Sequence, residues 1–394
     1  MKVLVLSHDY PKFLDWLYDA NPGLADAPYE TQRQVRAESL FGTNDFYLEE
    51  FRDRGHDATG VFVNNGHLQR AWARDHGYRD RRETDDSSTS VLDRMRTRLA
   101  DTVVSNFVPL LRSTLGDEFV RPSWFYDILG QQLEHYEPDV VFNLAVDGIS
   151  SEFLADAKQR HDFLLVGQIA APLPGWVDAD VHDVMTSALP QFVDRFERKG
   201  IPSEFVKLAF SESVLDRIDP SGPRHPVTFV GSLSSNHEAR IELLERLATE
   251  VPLKVWAPGV DHLSEESPLR GCYQGQAWGR DMFEILARSD VVVNNHIGVA
   301  GPYAANLRLY ETTGVGSFLV TDDKRNLDDL FEPGAEVATY DSVSDCVDTI
   351  QYYLEHDAER AAIADAGQQR TLSEHTYSER ADQLDSLFGE YTGA

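Results

Sequence analysis

The apolar segments of this sequence are short, rich in β-branched residues, and separated by segments of helical pattern. Residues 3–7 form the first, and residues 58–63 follow after a helical pattern at 46–54. Such segments are typical of buried strands in parallel sheets, because a strand covered on both faces is apolar throughout. Strand, helix and strand in this order indicate βαβ units, so the sequence predicts α/β domains.

The alternation occurs in two series, and the chain of 394 residues is long enough for two domains. Predicted strands of the first series lie at 3–7, 58–63, 139–146, 163–169, 183–187 and 205–208. Those of the second lie at 227–230, 253–256, 291–294, 318–320 and 336–340. We therefore predict two Rossmann-like, doubly wound domains, 1–215 and 216–376, with an interdomain cleft. Residues 377–394 predict a C-terminal helix that packs back on the first domain.

Two segments of the first half interrupt the alternation. Residues 8–43 are polar and rich in Pro, Gly and Asp, which predicts a long loop of the kind that often carries function. Residues 68–137 predict a helical insertion, with a charged loop at 79–90 and an amphipathic helix at 91–115.

The net charge of −30, from 66 acidic and 36 basic residues, argues against nucleic acid or an anionic membrane as the main partner. An acid-rich, lysine-poor composition fits a high-salt cytoplasm, and a genome biased toward arginine codons explains it equally. No segment has the ~20 apolar residues that span a membrane, although peripheral association stays open. Cys272 and Cys346 are too few for a disulfide framework, so we expect a reducing, cytoplasmic location.

Residues 306–322 predict a short helix, a glycine stop and a buried strand. Arg308 and Glu311 are three residues apart and share one face of the helix. A helix N-terminus near Asn306, approached through Gly301, offers free N–H groups and partial positive charge to a diphosphate. Arg308 could add a cation, and Glu311 could accept hydrogen bonds from a ribose or sugar diol. The alternative is an ordinary surface ion pair.

Other candidates follow predicted strands, where ligands of open parallel sheets bind. Gly231, with Ser232 next to it, could let a nucleotide approach the backbone, and His296 could hydrogen-bond a sugar or phosphate. Each of these also fits a structural role. Three further candidates are Gln168 as a donor-sugar contact, and His8 and Asp9 as groups that orient an acceptor hydroxyl or act as a base. No group of residues has convincing metal-ligand spacing, so no metal site is predicted.

Residues 306–322, together with Asn326-Leu-Asp-Asp-Leu-Phe and Glu374-His-Thr-Tyr, resemble the CgeB-like glycosyltransferases. That group is similar to the larger family of retaining GT-B enzymes, which use nucleotide sugars. Residues 227–233 resemble the first strand of their donor domain. The resemblance covers most of residues 139–388.

The resemblance implies a GT-B fold, a nucleotide-sugar donor as substrate, no cofactor, no metal and retention of anomeric configuration. In the larger family, two glutamates separated by seven residues hold the donor. Glu311 resembles the second of them, a ribose ligand, whereas Tyr303 stands where the first would be. Ser232 replaces an arginine of that family and a nearby lysine is absent, which leaves Arg308 or Arg240 to supply the charge.

The sequence thus predicts a glycosyltransferase of glycan, polysaccharide or glycoconjugate biosynthesis. The C-terminal domain would bind the donor, and the N-terminal domain a glycan, lipid-linked or protein acceptor. Three alternatives remain open: an inverting transferase with His8 or Asp9 as the base, a nucleotide-sugar epimerase that needs no acceptor, and a catalytically degenerate partner protein.

Overall fold

Two parallel sheets organise the chain. The computed structural model describes residues 1–78, 121–233, 238–296 and 298–393. The first sheet contains β1 (Lys2–Ser7), β2 (Asp57–Phe62), β3 (Val140–Asn143), β4 (Leu164–Gln168), β5 (Val184–Ser187) and β6 (Ser203–Phe205). The second contains β7 (His225–Val230), β8 (Leu253–Trp256), β9 (Ser289–Val293), β10 (Leu319–Asp322) and β11 (Ala338–Tyr340). The predicted α/β architecture with two Rossmann-like sheets is confirmed.

Helices cover both faces of each sheet. Those of the first half are α1 (Pro11–Ala20), α2 (Tyr29–Glu38), α3 (Asn44–Asp53), α4 (Gly66–Asp75), α5 (Ser123–Tyr136), α6 (Ser151–Arg160) and α7 (Pro190–Arg198). Those of the second half are α8 (Glu238–Glu250), α9 (Leu269–Cys272), α10 (Gly279–Ala287), α11 (Leu307–Gly314), α12 (Val343–Glu355), α13 (Asp357–Glu374) and α14 (Tyr377–Thr392). Among the described residues, none of the helices combines the length and apolarity that crossing a membrane requires.

The two sheets share one topology. The first has the strand order β2-β1-β3-β4-β5-β6 and the second β11-β10-β9-β7-β8, and the paired strands are parallel. In each sheet the order reverses between the first and third strands of the domain, so a crevice opens there beyond the carboxyl ends. These reversal points, at β1/β3 and β7/β9, position the site described below.

The prediction of a long loop at 8–43 is wrong. The segment contains α1 and α2, and its prolines mark where these helices begin. Pro11 occupies the first turn of α1, and Pro28 directly precedes α2. Proline fits the first turn of a helix, because its missing N–H has no intrahelical partner there. The predicted loop at 79–90 and helix at 91–115 lie outside the described residues, as does most of the 68–137 insertion.

The last helix, α14, packs on the first domain. The ring of Phe388 lies 5.6 Å from that of Phe51 on α3 and 6.1 Å from that of Phe142 on β3. At the rim, His56 Nε2 lies 2.8 Å from Asp385 Oδ1. The late helix therefore completes a core that belongs to the first sheet.

Gly279, at the start of α10, lies against the chain between α2 and α3. Its φ is +49°, and a Cβ added there would be 1.9 Å from the carbonyl oxygen of Ser39. The neighbouring Arg280 N–H donates to this same oxygen at 2.7 Å. Gly279→Ala should therefore destabilise the fold by about 3 kcal/mol, from backbone strain plus steric overlap between the domains.

Gly334→Ala provides the matched control, because Gly334 has a φ of +81° and nothing within 4 Å of an added Cβ. Gly334→Ala should lower the free energy of unfolding by about 1 kcal/mol, from backbone strain alone. Urea denaturation of both variants measures the difference, and equal losses would contradict the interdomain contact.

Candidate functional site

A cleft with a volume of about 870 Å³ lies between the two sheets. Its walls include the residues that follow the strands at both reversal points. These are Ser7, His8 and Leu144 from the first sheet, and Gly231, Ser232, Asn294 and Asn295 from the second. The parallel topology thus brings the carboxyl ends of four strands, distant in sequence, to one cavity.

His8 and Asp9 both line this cleft but differ in exposure. His8 is exposed, whereas Asp9 is 1% exposed and its Oδ1 accepts a hydrogen bond of 2.6 Å from Arg36. Arg36 also pairs with Asp45, and its guanidinium lies 3.8 Å from the centre of the Phe62 ring. The carboxylate of Asp9 is therefore engaged by a buried arginine, and His8 is the more accessible of the two groups.

Helix α11 presents its first turn to the cleft. Asn306 caps the helix, with its Oδ1 accepting from the N–H of Leu309 at 3.3 Å. The Asn306 amide also donates to Asn294 Oδ1 at 2.8 Å, which ties the start of α11 to the end of β9. Asparagine is a preferred cap because its side chain satisfies a free N–H of the first turn. The helix start is therefore fixed beside the cleft.

Arg308 and Glu311 lie on the same face of α11 and both line the cleft. Arg308 Nη1 is 2.8 Å from Glu311 Oε2, so the two side chains form an ion pair. The Nε of Arg308 has no hydrogen-bond acceptor among the described residues. Burial raises the pKa of Glu311, and the nearby charge of Arg308 only partly offsets that effect. Both groups are held partly desolvated.

The charge balance of the cleft is opposite to that of the whole chain. Its lining contains four cationic side chains, Lys12, Arg36, Arg240 and Arg308, and two carboxylates, Asp9 and Glu311. Over the whole chain, acidic residues outnumber basic ones by 66 to 36. A locally positive cavity in an acidic protein favours an anionic ligand.

Gly231 and Ser232 also line the cleft, directly after β7. A Cβ on Gly231 would lie 2.9 Å from the Phe229 ring, so the glycine is required for packing as well as for access. Arg240 on α8 donates to the carbonyl oxygens of Ser232 at 3.1 Å and Asn295 at 2.7 Å. Arg240 therefore ties together the chain segments that follow β7 and β9.

His296 follows β9 but does not line the cleft. It is 5% exposed, and its Nδ1 lies 2.7 Å from Asp322 Oδ1 at the end of β10. Its Nε2 is buried without a hydrogen-bond partner among the described residues. Lys324 Nζ lies 3.1 Å from the other oxygen of Asp322. The structure thus gives His296 a partly buried aspartate partner that the sequence pattern did not reveal.

Three further candidates lie outside the cleft lining. Gln168 is bound through its Oε1 by the Tyr47 hydroxyl at 3.3 Å. Gly301 is exposed, and Tyr303 packs against an apolar cluster of the first domain that includes Ile169. The segment between β9 and α11 therefore contacts the first domain before α11 reaches the cleft.

Aromatic side chains form part of the cleft wall that sequence reasoning missed. The ring of Trp278 lies 5.2 Å from that of Phe41 and 6.4 Å from that of Tyr10. Phe41 and Tyr10 belong to the segment expected to be a loop, and Trp278 comes from the second domain. Nothing in their spacing indicates that they meet, since the contact depends on how the two domains pack.

Comparison with known proteins supports this assignment of the fold. Residues 238–386 match a family model described as glycosyl transferase-like. No curated protein matches the sequence significantly. Among the described residues, no group of three or more His, Cys, Asp or Glu side chains is arranged to hold a metal ion.

Several solved structures share the architecture over almost the full chain. HepE from Anabaena, in complex with UDP-glucose, has a TM-score of 0.58 and 12% identity over 99% of this chain and 100% of its own. Sucrose-phosphate synthase from Thermosynechococcus elongatus has a TM-score of 0.57 and 11% identity over all of both chains. A glycosyltransferase from Rickettsia africae has a TM-score of 0.58 and 8% identity over 99% of this chain and 98% of its own. The fold is GT-B, as predicted.

The stability of the fold should depend on pH through Asp322. Burial raises its pKa, but the hydrogen bonds and charge of His296, with Lys324, outweigh burial and lower the pKa to about 2. Because the unfolded pKa is near 3.9, this carboxylate stabilises the fold above about pH 4 and loses that effect as the pH falls toward 2. Asp322→Asn should therefore be less stable by roughly 2 kcal/mol at pH 7.

Urea denaturation of Asp322→Asn and wild type at pH 7, 4 and 3 tests this expectation. The difference in their free energies of unfolding should become smaller as the pH falls. Asp323→Asn is the control, because Asp323 is exposed and should change stability little at any of these values. A deficit of Asp322→Asn that stays constant from pH 7 to pH 3 would contradict the role of the ionised carboxylate.

Proposed function

We propose that this protein is a glycosyltransferase that moves a sugar from a nucleotide-sugar donor to an acceptor hydroxyl. The observation that carries the proposal is the arrangement of Asn306, Arg308 and Glu311 on the first turns of α11, within a locally cationic cleft. The UDP-glucose complex of HepE, a protein of the same fold, supports a nucleotide sugar as the ligand class. A CgeB-like relationship and a role in glycan biosynthesis are parts of the same proposal.

The donor diphosphate would bind at the start of α11. The N–H groups there carry partial positive charge, and Arg308, whose Nε has no acceptor among the described residues, adds a formal cation. As the bond to the sugar breaks, negative charge grows on the leaving diphosphate, and fixed donors stabilise this charge without reorganisation. Lys12 and Arg240 would extend the positive field along the cleft.

Glu311 would bind the ribose hydroxyls of the donor. Its carboxylate has Arg308 as its ion-pair partner in the ligand-free protein. An ionised carboxylate offers acceptor positions for two neighbouring hydroxyl groups, which suits a diol. The donor's diphosphate would bind Arg308 while its ribose hydroxyls donate to Glu311. The ligand would then replace the ion pair between these two side chains.

Retention without a metal remains our proposal for the stereochemistry. The departing diphosphate would take the acceptor proton, so no dedicated protein base is needed. His8 is exposed in the cleft and is the residue on which an inverting mechanism would depend, since Asp9 is paired with Arg36. NMR of the anomeric configuration of the product separates the two mechanisms, and an inverted linkage would rule out retention.

Nucleotide binding tests the proposal directly. Thermal-shift screening of UDP, GDP, dTDP and CMP and their sugars should identify at least one stabilising ligand, because binding to the folded state raises its stability. Glu311→Gln should weaken that ligand by about tenfold or more, through loss of charge-assisted hydrogen bonds to the ribose. Glu242→Gln, an exposed substitution on α8, should leave binding unchanged.

Glu311→Gln should also separate binding from folding. The pKa of Glu311 is raised, so its ionisation opposes folding as the pH rises above the unfolded value, and the amide should stabilise the free protein at pH 7. Weaker binding by a variant at least as stable as wild type would support a ligand role. Failure of every nucleotide and nucleotide sugar to bind wild type would refute the proposed function.

Arg308→Ala should lower sugar transfer by about tenfold or more, because it removes a cation from the leaving diphosphate. Arg308→Lys should recover part of the activity by restoring charge without the planar fork of donors. Arg246→Ala on α8 removes a solvent-exposed arginine and serves as the control. Steady-state kinetics of transfer provides the measurement, and wild-type turnover by Arg308→Ala would remove the role assigned to this residue.

A further inference from the structure

A second cavity, of about 890 Å³, lies next to the interdomain cleft. The first domain lines it with α1 and the start of α4, and the second domain with the segment 273–276. Lys12 lines both cavities, so they lie side by side. We propose that this α1–α4 cavity binds a neutral saccharide. The inference rests on the proposed function in one respect: the saccharide would be the part of the acceptor that lies away from the reacting hydroxyl.

Partly exposed aromatic rings give the cavity surfaces on which a sugar ring can lie. Trp16 and Tyr18 come from α1, and Tyr273 comes from the second domain. The Tyr18 ring lies 4.5 Å from the imidazole of His67 at the start of α4. Sugar rings have apolar C–H faces and polar edges, and aromatic residues with a polar tip suit such amphipathic ligands.

Asn65 supplies the observation that points most directly to a ligand. Its Oδ1 accepts from the N–H of Leu68 at 3.2 Å and lies 2.7 Å from the Tyr18 hydroxyl, which also lies 3.0 Å from Gln32 Oε1. The Leu68 N–H fixes the amide orientation, since only the amide oxygen can accept from it. Nδ2 is then a donor in a side chain that is 1% exposed, and it has no acceptor among the described residues. Buried donors without an acceptor are rare in native structures, and a small shift of the Asn65 side chain on binding would let a ligand hydroxyl satisfy this one.

The charges of the cavity select against a nucleotide. Asp15 and Asp19 are exposed carboxylates of the lining, and Lys12 is its single Lys or Arg side chain. Burial, followed by the charge of Arg70, lowers the pKa of His67, which keeps that ring neutral at neutral pH. A phosphate would meet net negative charge here, whereas sugar hydroxyls can donate to both carboxylates.

The second domain closes one side of the cavity with an anchored segment. The N–H of Gln274 donates to the carbonyl of Val255 on β8 at 2.9 Å, and Trp278 Nε1 donates to Gln276 Oε1 at 3.3 Å. Tyr273 therefore lies on a segment fixed to the sheet that carries the donor half of the cleft. A saccharide in this cavity would contact both domains while its reacting end lies in the cleft.

Binding of maltotetraose, cellotetraose, mannotetraose and chitotetraose tests the proposal, with saturation-transfer NMR and calorimetry on the full chain. At least one tetrasaccharide should bind wild type, and Trp16→Ala should raise its dissociation constant about tenfold by removing a stacking surface. Asn65→Asp should also raise the dissociation constant about tenfold, because aspartate still caps α4 but has no N–H donor. Tyr352→Ala, at an exposed tyrosine of α12, is the control and should bind as wild type.

Two results would overturn the inference: no binding of any of the four at millimolar concentration, or wild-type affinity in Trp16→Ala. If Asn65→Asp does not fold, Trp16→Ala decides the question, because Trp16 is partly exposed. Nucleotide binding should be unchanged in Trp16→Ala. If wild type binds a saccharide but no nucleotide or nucleotide sugar, the proposed transferase function is refuted, whereas the saccharide site is supported.

Discussion

The two places where the chain passes between the domains are hydrogen-bonded to each other, and the geometry of the cleft depends on that contact. The N–H of Phe210 donates to the carbonyl of His375 at 2.9 Å, and the N–H of Tyr377 donates to the carbonyl of Phe210 at 3.0 Å. Phe210 and Tyr377 are almost fully buried and belong to an apolar core shared by both sheets. Because burial and backbone pairing act at the same point, the carboxyl ends of the two sheets face one cavity.

Ionisable groups in this cavity oppose the stability of the ligand-free protein. Glu311 has a raised pKa because it is buried, and the Nε of Arg308 has no hydrogen-bond acceptor among the described residues. Groups of this kind cost free energy unless a partner meets them, so they are typical of binding sites rather than of structural cores. Asp322 is the contrasting case: its pKa is lowered to about 2, because the lowering effects of His296 and Lys324 outweigh burial. The satisfied charges of Asp322 and its partners thus lie outside the cleft lining, whereas Glu311 and Arg308 line it.

Strands were easier to predict than the walls of the cavity. Buried parallel strands such as β1 and β9 are continuous apolar runs, and that pattern is local to the sequence. The helices α1 and α2 were missed because Pro11 and Pro28 were interpreted as loop residues, and β6 lies at Ser203–Phe205 rather than at 205–208. The sequence indicated Asn306, Arg308 and Glu311 because helix spacing is also local. It could not place Gln168 outside the cleft or Trp278 in its wall, since both depend on packing between distant segments.

The packing of α14 determines the order in which the chain can fold. Phe51 and Phe142 of the first domain make ring contacts with Phe388, a residue that follows the whole second domain in sequence. During synthesis, a first domain that has just been made still exposes the apolar side of α3, because the helix that covers it has not been translated. Domains generally fold as units as they emerge from the ribosome. The core of the first domain is therefore complete only once α14 has been synthesised, and a chain that stops before α14 leaves Phe51 and Phe142 without their contacts to Phe388.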